Sequence, residues 1–393
     1  MRIGQLTDCY KPTTNGVTHL VYLHKKVLEA WGHHVYVFTL GNEDYQDTEP
    51  NVIRSPAVPL SETGYHLGFR YSSRARKLAE TMDVLHVHHP LLAGRQAIRI
   101  ARKANIPLVF TNHARYSLLA CYYLPFLSEE LFDSFLKAYF PHFTAQCDLV
   151  VAPSQGVLRW LESLGVKTPI VVIPNGVDVN RITCPTACLT RDDLGLPEEA
   201  CVAITVGRVG PEKNLVFLLR AFSQAVEQSR DLHLVIVGDG PKREDQEEMA
   251  RWARLNDRVH LAGAVPYEEV PNWLAMADFF VIASTAESHP LAVLEAIAAG
   301  LPILGIPSPG IDESIQDGNN GLLSPEDVEA FAHRMTRLAM DVDLRDRLAE
   351  GARQSRCRFD IRRTSARLLA HYERLVVEER RRDDSTAPTA FPD

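Results

Sequence analysis

The sequence predicts an α/β protein of two doubly wound domains, each built on a parallel sheet. Short apolar runs alternate with stretches of helical periodicity, and the pattern runs through once and then restarts. Length agrees, since 393 residues exceed one ordinary domain and fit two or three. In the first half the predicted strands are Arg2–Leu6, His34–Thr39, Val84–His88, Leu108–Thr111, Leu149–Ala152 and Ile170–Ile173. Between them Thr18–Ala30 and Leu92–Lys103 are amphipathic, as crossover helices should be. The second half repeats the scheme with strands Val202–Val206, His233–Val237, Val259–Ala262, Phe279–Ile282 and Pro302–Gly305. Its helices are Asn214–Val226, Glu244–Leu255 and Leu291–Ala299. The changeover falls near Pro174–Arg191, which is rich in turn formers. Arg362–Arg382 reads as a closing amphipathic helix, with Leu368, Leu369, Tyr372, Leu375 and Val376 at near-helical spacing. From about Asp384 the residues are those of a disordered tail.

Composition narrows the function classes. No apolar run approaches the roughly 20 residues that cross a bilayer. Met1–Leu6 reads as a first strand rather than a signal peptide, because no long apolar region follows it. The 7 cysteines are odd in number and form no Cys-x-x-Cys pair, and Cys184 and Cys188 have no matching His or Cys cluster. A reduced, cytoplasmic protein is the simplest expectation. A net charge of −8 argues against wholesale nucleic-acid binding. That charge is uneven: residues 1–174 carry +3 and the remainder −11. The cluster Arg70, Arg74, Arg76 and Lys77 suits anionic lipid heads, or it is a solvated helix face, the commoner case.

The residues richest in chemistry run from Glu287 to Glu295. Pro290 suits a first helical turn, where its missing N–H would have no partner anyway. The amides of Leu291 and Ala292 would then point outward at the positive end of the helix dipole, ready for a phosphate. Glu287 before the helix and Glu295 about one and a half turns into it can reach hydroxyls on either side of such a phosphate. Two solvated helix glutamates are the bland reading. Arg208 and Lys213 follow strand Val202–Val206, where open α/β sheets bind ligands, and two cations there would stabilise a diphosphate. Gly238-Asp239-Gly240-Pro241 fits close approach of the backbone to a ligand, or equally a plain tight turn into a helix. Gly263 and Val265 lie where a base would stack.

In the first half, Asp8–Val17 is not a G-x-G-x-x-G fingerprint, yet Gly16 at a helix start can admit a phosphate or sugar. His86 and His88 share one face of a strand, but no further ligand has zinc-like spacing, so metal is not expected. They are expected to end a strand over a ligand cleft. His113 follows the next strand and can donate to a sugar hydroxyl or a developing oxyanion, or is a satisfied loop histidine. The aromatics from Tyr122 to Phe143 are core by the ordinary rule, with an apolar acceptor groove or membrane-facing helix as the minority reading. Asp341-Val342-Asp343 has a D-x-D form but lies in a late helix, where solvent-facing acids are the expectation.

Taken together, Asn15-Gly16-Val17, Thr111-Asn112-His113, Pro174-Asn175-Gly176-Val177-Asp178, Gly207-Arg208 with Lys213, and the Glu287–Glu295 segment resemble retaining glycosyltransferases of family 4, which have the GT-B fold. The likeness spans about residues 1–380, with the motifs in family order. It implies two Rossmann-like domains facing a cleft: an acceptor-side domain over 1–174 and a donor-nucleotide domain over 175–360. It also implies a helix over 361–383 returning to the first domain, and leaves 384–393 as the tail. Carried over, Arg208 and Lys213 hold the donor diphosphate, Glu295 binds ribose and Glu287 the transferred hexose. Gly16 lies against the phosphates, and His113 contacts the sugar. Ser288-His289-Pro290 departs from the common Glu-x-Phe-Gly pattern and leaves the hexose open.

Asp8-x-Tyr10-x-Pro12, His86-Val87-His88-His89-Pro90 and His113-x-x-Tyr116 resemble the lipid branch, the diacylglycerol glucosyltransferases and related mannosyltransferases. The expected reaction is hexose transfer from a nucleotide sugar, UDP-glucose first and GDP-mannose second. The acceptor is a diacylglycerol-type lipid at an anionic inner membrane surface, or else a soluble sugar or small metabolite. No further cofactor is needed. Epimerases and phosphorylases share the fold, and a non-catalytic sugar-nucleotide-binding subunit is the alternative of another class. The presence of Arg208, Lys213, Glu287 and Glu295 together argues against a dead site. Oligomeric state stays open.

Overall fold

The computed structural model describes residues 1–13, 15–42, 44–59, 66–68, 70–116, 128–187, 189–240, 255 and 257–386. The chain divides into two compact units. One comprises Met1–His113, Glu130–Pro174 and Thr364–Asp393; the other comprises Ala114–Glu129 and Asn175–Arg363.

The first unit holds a seven-stranded parallel sheet: β1 (Arg2–Leu6), β2 (His34–Gly41), β3 (Val52–Pro56), β4 (Val84–Val87), β5 (Leu108–Thr111), β6 (Leu149–Ala152) and β7 (Ile170–Val172). Its order is β3-β2-β1-β4-β5-β6-β7. Strands β4, β5 and β6 are buried at every position, which is why they read as largely apolar runs, broken in β4 by His86. Strand β3 escaped the sequence reading because Val-Ile-Arg-Ser-Pro is polar and mostly half-buried, the composition of an edge. Helix Gly16–Ala30 begins before its apolar stripe because Asn15 and Thr18 form a reciprocal cap. Helix Ile361–Thr386 supplies Leu368, Tyr372, Leu375 and Val376 to a core with Ile3, Val84, Val109 and Leu149.

The second unit holds six parallel strands: β8 (Cys201–Val206), β9 (Leu232–Val237), β10 (Val259–Gly263), β11 (Phe279–Ile282), β12 (Ile303–Gly305) and β13 (Gly321–Leu323), ordered β10-β9-β8-β11-β12-β13. One face packs against helices Leu215–Gln228 and Val328–Met340 through Leu218, Phe222, Phe331 and Met335. The other packs against Val270–Met276 and Leu291–Ala299 through Leu274, Leu294 and Ile297. The edge strand β13 went unread because it opens with Gly321 directly after Gly318-Asn319-Asn320, a run of turn formers. The expected helix Glu244–Leu255 lies, apart from Leu255, outside the described residues. Asp341 of the D-x-D pair caps helix Val342–Ser355, its carboxylate accepting from the Leu344 amide at 2.9 Å.

Both sheets reverse direction at their first strand, the switch point at which doubly wound sheets open a crevice beyond the carboxyl ends. In the second unit three glycines end adjacent strands there: Gly207 (φ 149°), Gly238 (φ 140°) and Gly263 (φ 74°). A Cβ on Gly238 would sit 1.8 Å from the Gly207 carbonyl oxygen, so the close approach of two backbones requires a glycine here. Gly238→Ala should cost about 2 kcal/mol or more and lower the melting temperature of the second unit by roughly 4–8 °C. A calorimetric melt identical to wild type would show that the loops separate freely.

Candidate active site

In the second unit, β8 runs into Gly207 and Arg208, then a single 3-10 turn, Pro211–Lys213. Asn214 (φ 52°) reverses the chain into helix Leu215–Gln228. Arg208 is exposed, whereas Lys213 is turned inward, its Nζ 2.6 Å from Glu287 Oε1. The lysine side chain keeps 28% of its surface and the glutamate 14%. Burial alone would lower the Lys213 ammonium, but the Glu287 carboxylate, helped by Glu212, outweighs it and holds the pKa above the ordinary lysine value. Ser284 Oγ donates to the Glu212 carbonyl at 2.8 Å and ties the same two loops again.

Helix Leu291–Ala299 has the bounds expected of it, but its entry differs from the expectation for Pro290. Pro290 (φ −73°, ψ 123°) is the extended N-cap rather than part of the first turn, and no side chain bonds to the helix start. Leu291 and Ala292 therefore stand at an N-terminus without a side-chain cap, partly exposed. Glu295 is buried at 4% exposure and accepts from Tyr267 Oη at 2.5 Å. Burial raises its pKa, opposed by the Tyr267 hydrogen bond and the nearby Arg181 charge. Arg181 stacks over the Tyr267 ring at 4.9 Å. The two glutamates thus face different partners, neither being a merely solvated acid. Val265 packs against the apolar core beside Gly263.

Three supports went unread in the sequence. Tyr267 gave no signal because its partner lies 28 positions away. His289 was noted only as a departure from a pattern, yet its carbonyl accepts from Asn175 Nδ2 at 2.8 Å and its Nδ1 from the Asn175 amide at 3.3 Å. Burial, then the Arg358 charge, lowers the His289 pKa to about 3, so it is a neutral clamp. Gly310 donates to the Glu287 carbonyl at 3.3 Å, and a Cβ there would meet the Ser288 backbone at 2.2 Å. A cavity of about 500 Å³ lies at the opposite, amino-terminal edge of this sheet, lined by Arg191, Cys201, Asp231 and Asp278. It is remote from these residues.

In the first unit Gly16 is exposed at its helix start. The loop leading to it is pinned: Lys11 Nζ meets Glu49 Oε1 at 2.6 Å, Tyr10 Oη donates to Glu49 Oε2 at 3.0 Å, and Lys11 lies 3.4 Å over the Tyr22 ring. Burial and Glu49 raise the Tyr10 pKa, so the phenol stays protonated as a donor. His113 is half-buried, with Nε2 2.9 Å from His88 Nδ1 and the rings stacked. Burial, then the neighbouring His89 and His24, lower its pKa to about 3. The expectation that His86 and His88 end a strand over a ligand cleft is corrected. Both are buried, and Tyr372 from the last helix sits 2.5 Å from His86 Nδ1. Arg70, Arg74 and Lys77 are exposed and Arg76 half-exposed, beside or on the short helix Ser73–Ala79. Phe140 and Phe143 are core, Phe135 is 48% exposed, and Tyr122, Tyr123 and Phe126 lie outside the described residues. Among the described residues no three His, Cys, Asp or Glu side chains gather to hold a metal, and no helix is long and apolar enough to cross a membrane.

Two Rossmann-like parallel-sheet units of this order are the GT-B glycosyltransferase fold. Solved structures share it: HepE of Anabaena, crystallised with UDP and glucose, superposes with a TM-score of 0.78 at 19% identity over 95% of this chain and 99% of its own. Residues 14–181 match the description Glycosyltransferase Family 4, and residues 189–355 match Glycosyl transferases group 1. Alpha-monoglucosyldiacylglycerol synthase of Acholeplasma laidlawii is 30% identical over 85% of this chain and 87% of its own length. The Streptococcus pneumoniae protein of the same name is 30% identical over 82% and 75%. The chain belongs to glycosyltransferase family 4.

The buried Glu295 carboxyl has a testable signature. Because its pKa is raised on folding, its contribution to stability is full below the unfolded value near 4.3 and is lost as pH rises through the folded value. Glu295→Gln without ligand should therefore gain melting temperature relative to wild type between pH 4 and pH 7. A relative loss over that range would mean that Tyr267 and Arg181 outweigh burial.

Proposed function

We propose that this glycosyltransferase moves a hexose from a nucleoside diphosphate sugar to a hydroxyl acceptor with retention at the anomeric carbon. UDP-glucose is the first donor and a diacylglycerol-type lipid at an anionic membrane surface the first acceptor. The observation that carries the reading is the Lys213–Glu287 contact beside the helix start at Leu291 and Ala292, which has no side-chain cap. It sets a cation, a hydroxyl-binding carboxylate and backbone donors within one loop cluster at the carboxyl edge of the sheet. Arg208 and Lys213 hold the diphosphate with the Leu291 and Ala292 amides, Glu295 the ribose and Glu287 the hexose. Gly16 and His113 contribute from the first unit. Lys213 has three donors, so its bond to Glu287 leaves two for phosphate oxygens.

In the proposed step the bond from the anomeric carbon to the diphosphate oxygen breaks, and a bond to the acceptor oxygen forms on the same face. The acceptor proton passes to the departing diphosphate, whose growing charge Arg208, Lys213 and the helix amides stabilise. The names of the two curated relatives support glucose and diacylglycerol, and the UDP complex of HepE supports a uridine donor. A 2-deoxystreptamine glucosyltransferase of Streptomyces kanamyceticus, 27% identical over 85% of this chain and 92% of its own length, keeps a soluble acceptor as the second reading. GDP-mannose remains the second donor.

Purified protein given UDP- and GDP-sugars, with and without diacylglycerol in anionic micelles, should release UDP from UDP-glucose only when lipid is present. Mass analysis should find hexosyl-diacylglycerol; donor turnover indifferent to lipid, with no glycolipid, would move the acceptor to soluble compounds. Arg208→Ala should reduce turnover by about 10²–10³-fold with an unchanged melt. Near-normal turnover would remove Arg208 from the diphosphate site. Glu287→Gln should slow sugar transfer more than it weakens UDP binding, and equal loss of both would contradict its assignment to the hexose.

A further inference from the structure

Five side chains from four elements join His113 in one buried chain. Gln5 stands on β1, His86 on β4 with His88 just beyond it, Thr111 on β5, and Tyr372 on the last helix. His86, His88, Gln5 and Tyr372 are each 2% exposed or less, and Thr111 is 5% exposed. The contacts run in series: His113 Nε2 to His88 Nδ1 at 2.9 Å, His88 Nε2 to Gln5 Oε1 at 2.6 Å, Gln5 Nε2 to Tyr372 Oη at 3.5 Å, Tyr372 Oη to His86 Nδ1 at 2.5 Å, and His86 Nε2 to Thr111 Oγ1 at 2.6 Å.

The Gln5 amide gives this series a direction, because its oxygen only accepts and its nitrogen only donates. Facing the Gln5 oxygen, His88 must carry its proton on Nε2, so its Nδ1 is a bare acceptor. That acceptor requires a proton on His113 Nε2. On the other side Tyr372 accepts from Gln5 and so donates to His86 Nδ1, whose Nε2–H donates to Thr111. All three histidines are neutral in this arrangement. Among the described residues no carboxylate bonds to any of them, and burial pushes each pKa down.

We infer that the buried chain from Thr111 to His88 holds His113 as its Nε2–H tautomer, leaving Nδ1 as a fixed acceptor, with Tyr372 and Gln5 as the positioning residues. Such a nitrogen receives a hydrogen bond from a hydroxyl and repels an oxyanion. It therefore differs from the expectation that His113 donates. Resting on the glycosyl-transfer reading, it also assigns His113 to a hexose or acceptor hydroxyl rather than to the diphosphate. Reversing the chain would require the Gln5 amide to rotate by half a turn, and His113 would then present an Nδ1–H donor.

The test is long-range ¹H–¹⁵N NMR of the ligand-free protein with ¹⁵N-labelled histidine rings at pH 7, the His113 signals being those lost in His113→Gln. The expected wild-type pattern is a pyrrole-type Nε2 and a pyridine-type Nδ1. Tyr372→Phe keeps the ring but removes the hydroxyl; it should give mixed His113 tautomers and lower kcat about tenfold, with donor KM little changed. Gln5→Met should show the same tautomer mixing. A protonated Nδ1 or a charged ring in the wild type would overturn the inference, as would an unchanged His113 pattern in both variants. The wild-type spectrum decides the direction even where a variant fails to fold. Full glycosyl transfer by His113→Gln would instead remove His113 from the proposed reaction and leave the tautomer assignment standing.

Discussion

Lys213 and Glu287 meet at the second unit's switch point, and the rest of that edge is arranged around their contact. One belongs to the loop after the first strand of the sheet, the other to the loop after the fourth. Each is too short of water to stand comfortably alone, since removing one partner of a partly desolvated pair leaves the other charge uncompensated. The pair therefore fixes where the two loops lie relative to each other, and the Ser284–Glu212 bond adds a second tie. Beneath it, Gly207 and Gly238 touch backbone to backbone, a spacing that admits no side chain. From the other side, Gly310 and Asn175 hold the backbone of Glu287-Ser288-His289. A loop cluster held on three sides keeps its shape without ligand, and preorganised charges act only when they need not move.

Much of this could be read in the sequence, for reasons that differ by element. Leu108–Thr111, Leu149–Ala152 and Phe279–Ile282 coincide with their expected strands because a fully buried parallel strand is an apolar run with sharp ends. Val52–Pro56 and Gly321–Leu323 sit at sheet edges, where polar residues in the one and turn formers leading into the other erase that signal. Glu287 and Glu295 stood out because their spacing is local. Their partners did not, because Lys213 is 74 positions from Glu287 and nothing in the intervening sequence marks the meeting. Pro290 is compatible with either side of a helix start, and only its ψ of 123° places it outside.

The histidines show the same limit more sharply. Strand alternation put His86 and His88 on one face, and their ring centroids are 4.3 Å apart. What covers that face was invisible. Tyr372 is 286 positions from His86, on a helix whose apolar spacing looked like ordinary core. A buried polar group is tolerable only when its partners are supplied, so the run of histidines implied a partner without saying where in the chain it lay.

The last helix also has a consequence for how the molecule is made. The first unit is interrupted: its sheet is encoded before residue 175, yet one face is covered by residues that follow the whole second unit. On the ribosome Ile3, Val84, Val109 and Leu149 must wait, with their covering helix unsynthesised, for roughly 10–40 seconds at about 5–20 residues per second. During that interval the second unit can complete its own core while the first stays sticky on one side. The time for which that face stays uncovered is thus set by translation speed through the middle of the message rather than by the folding rate of either sheet.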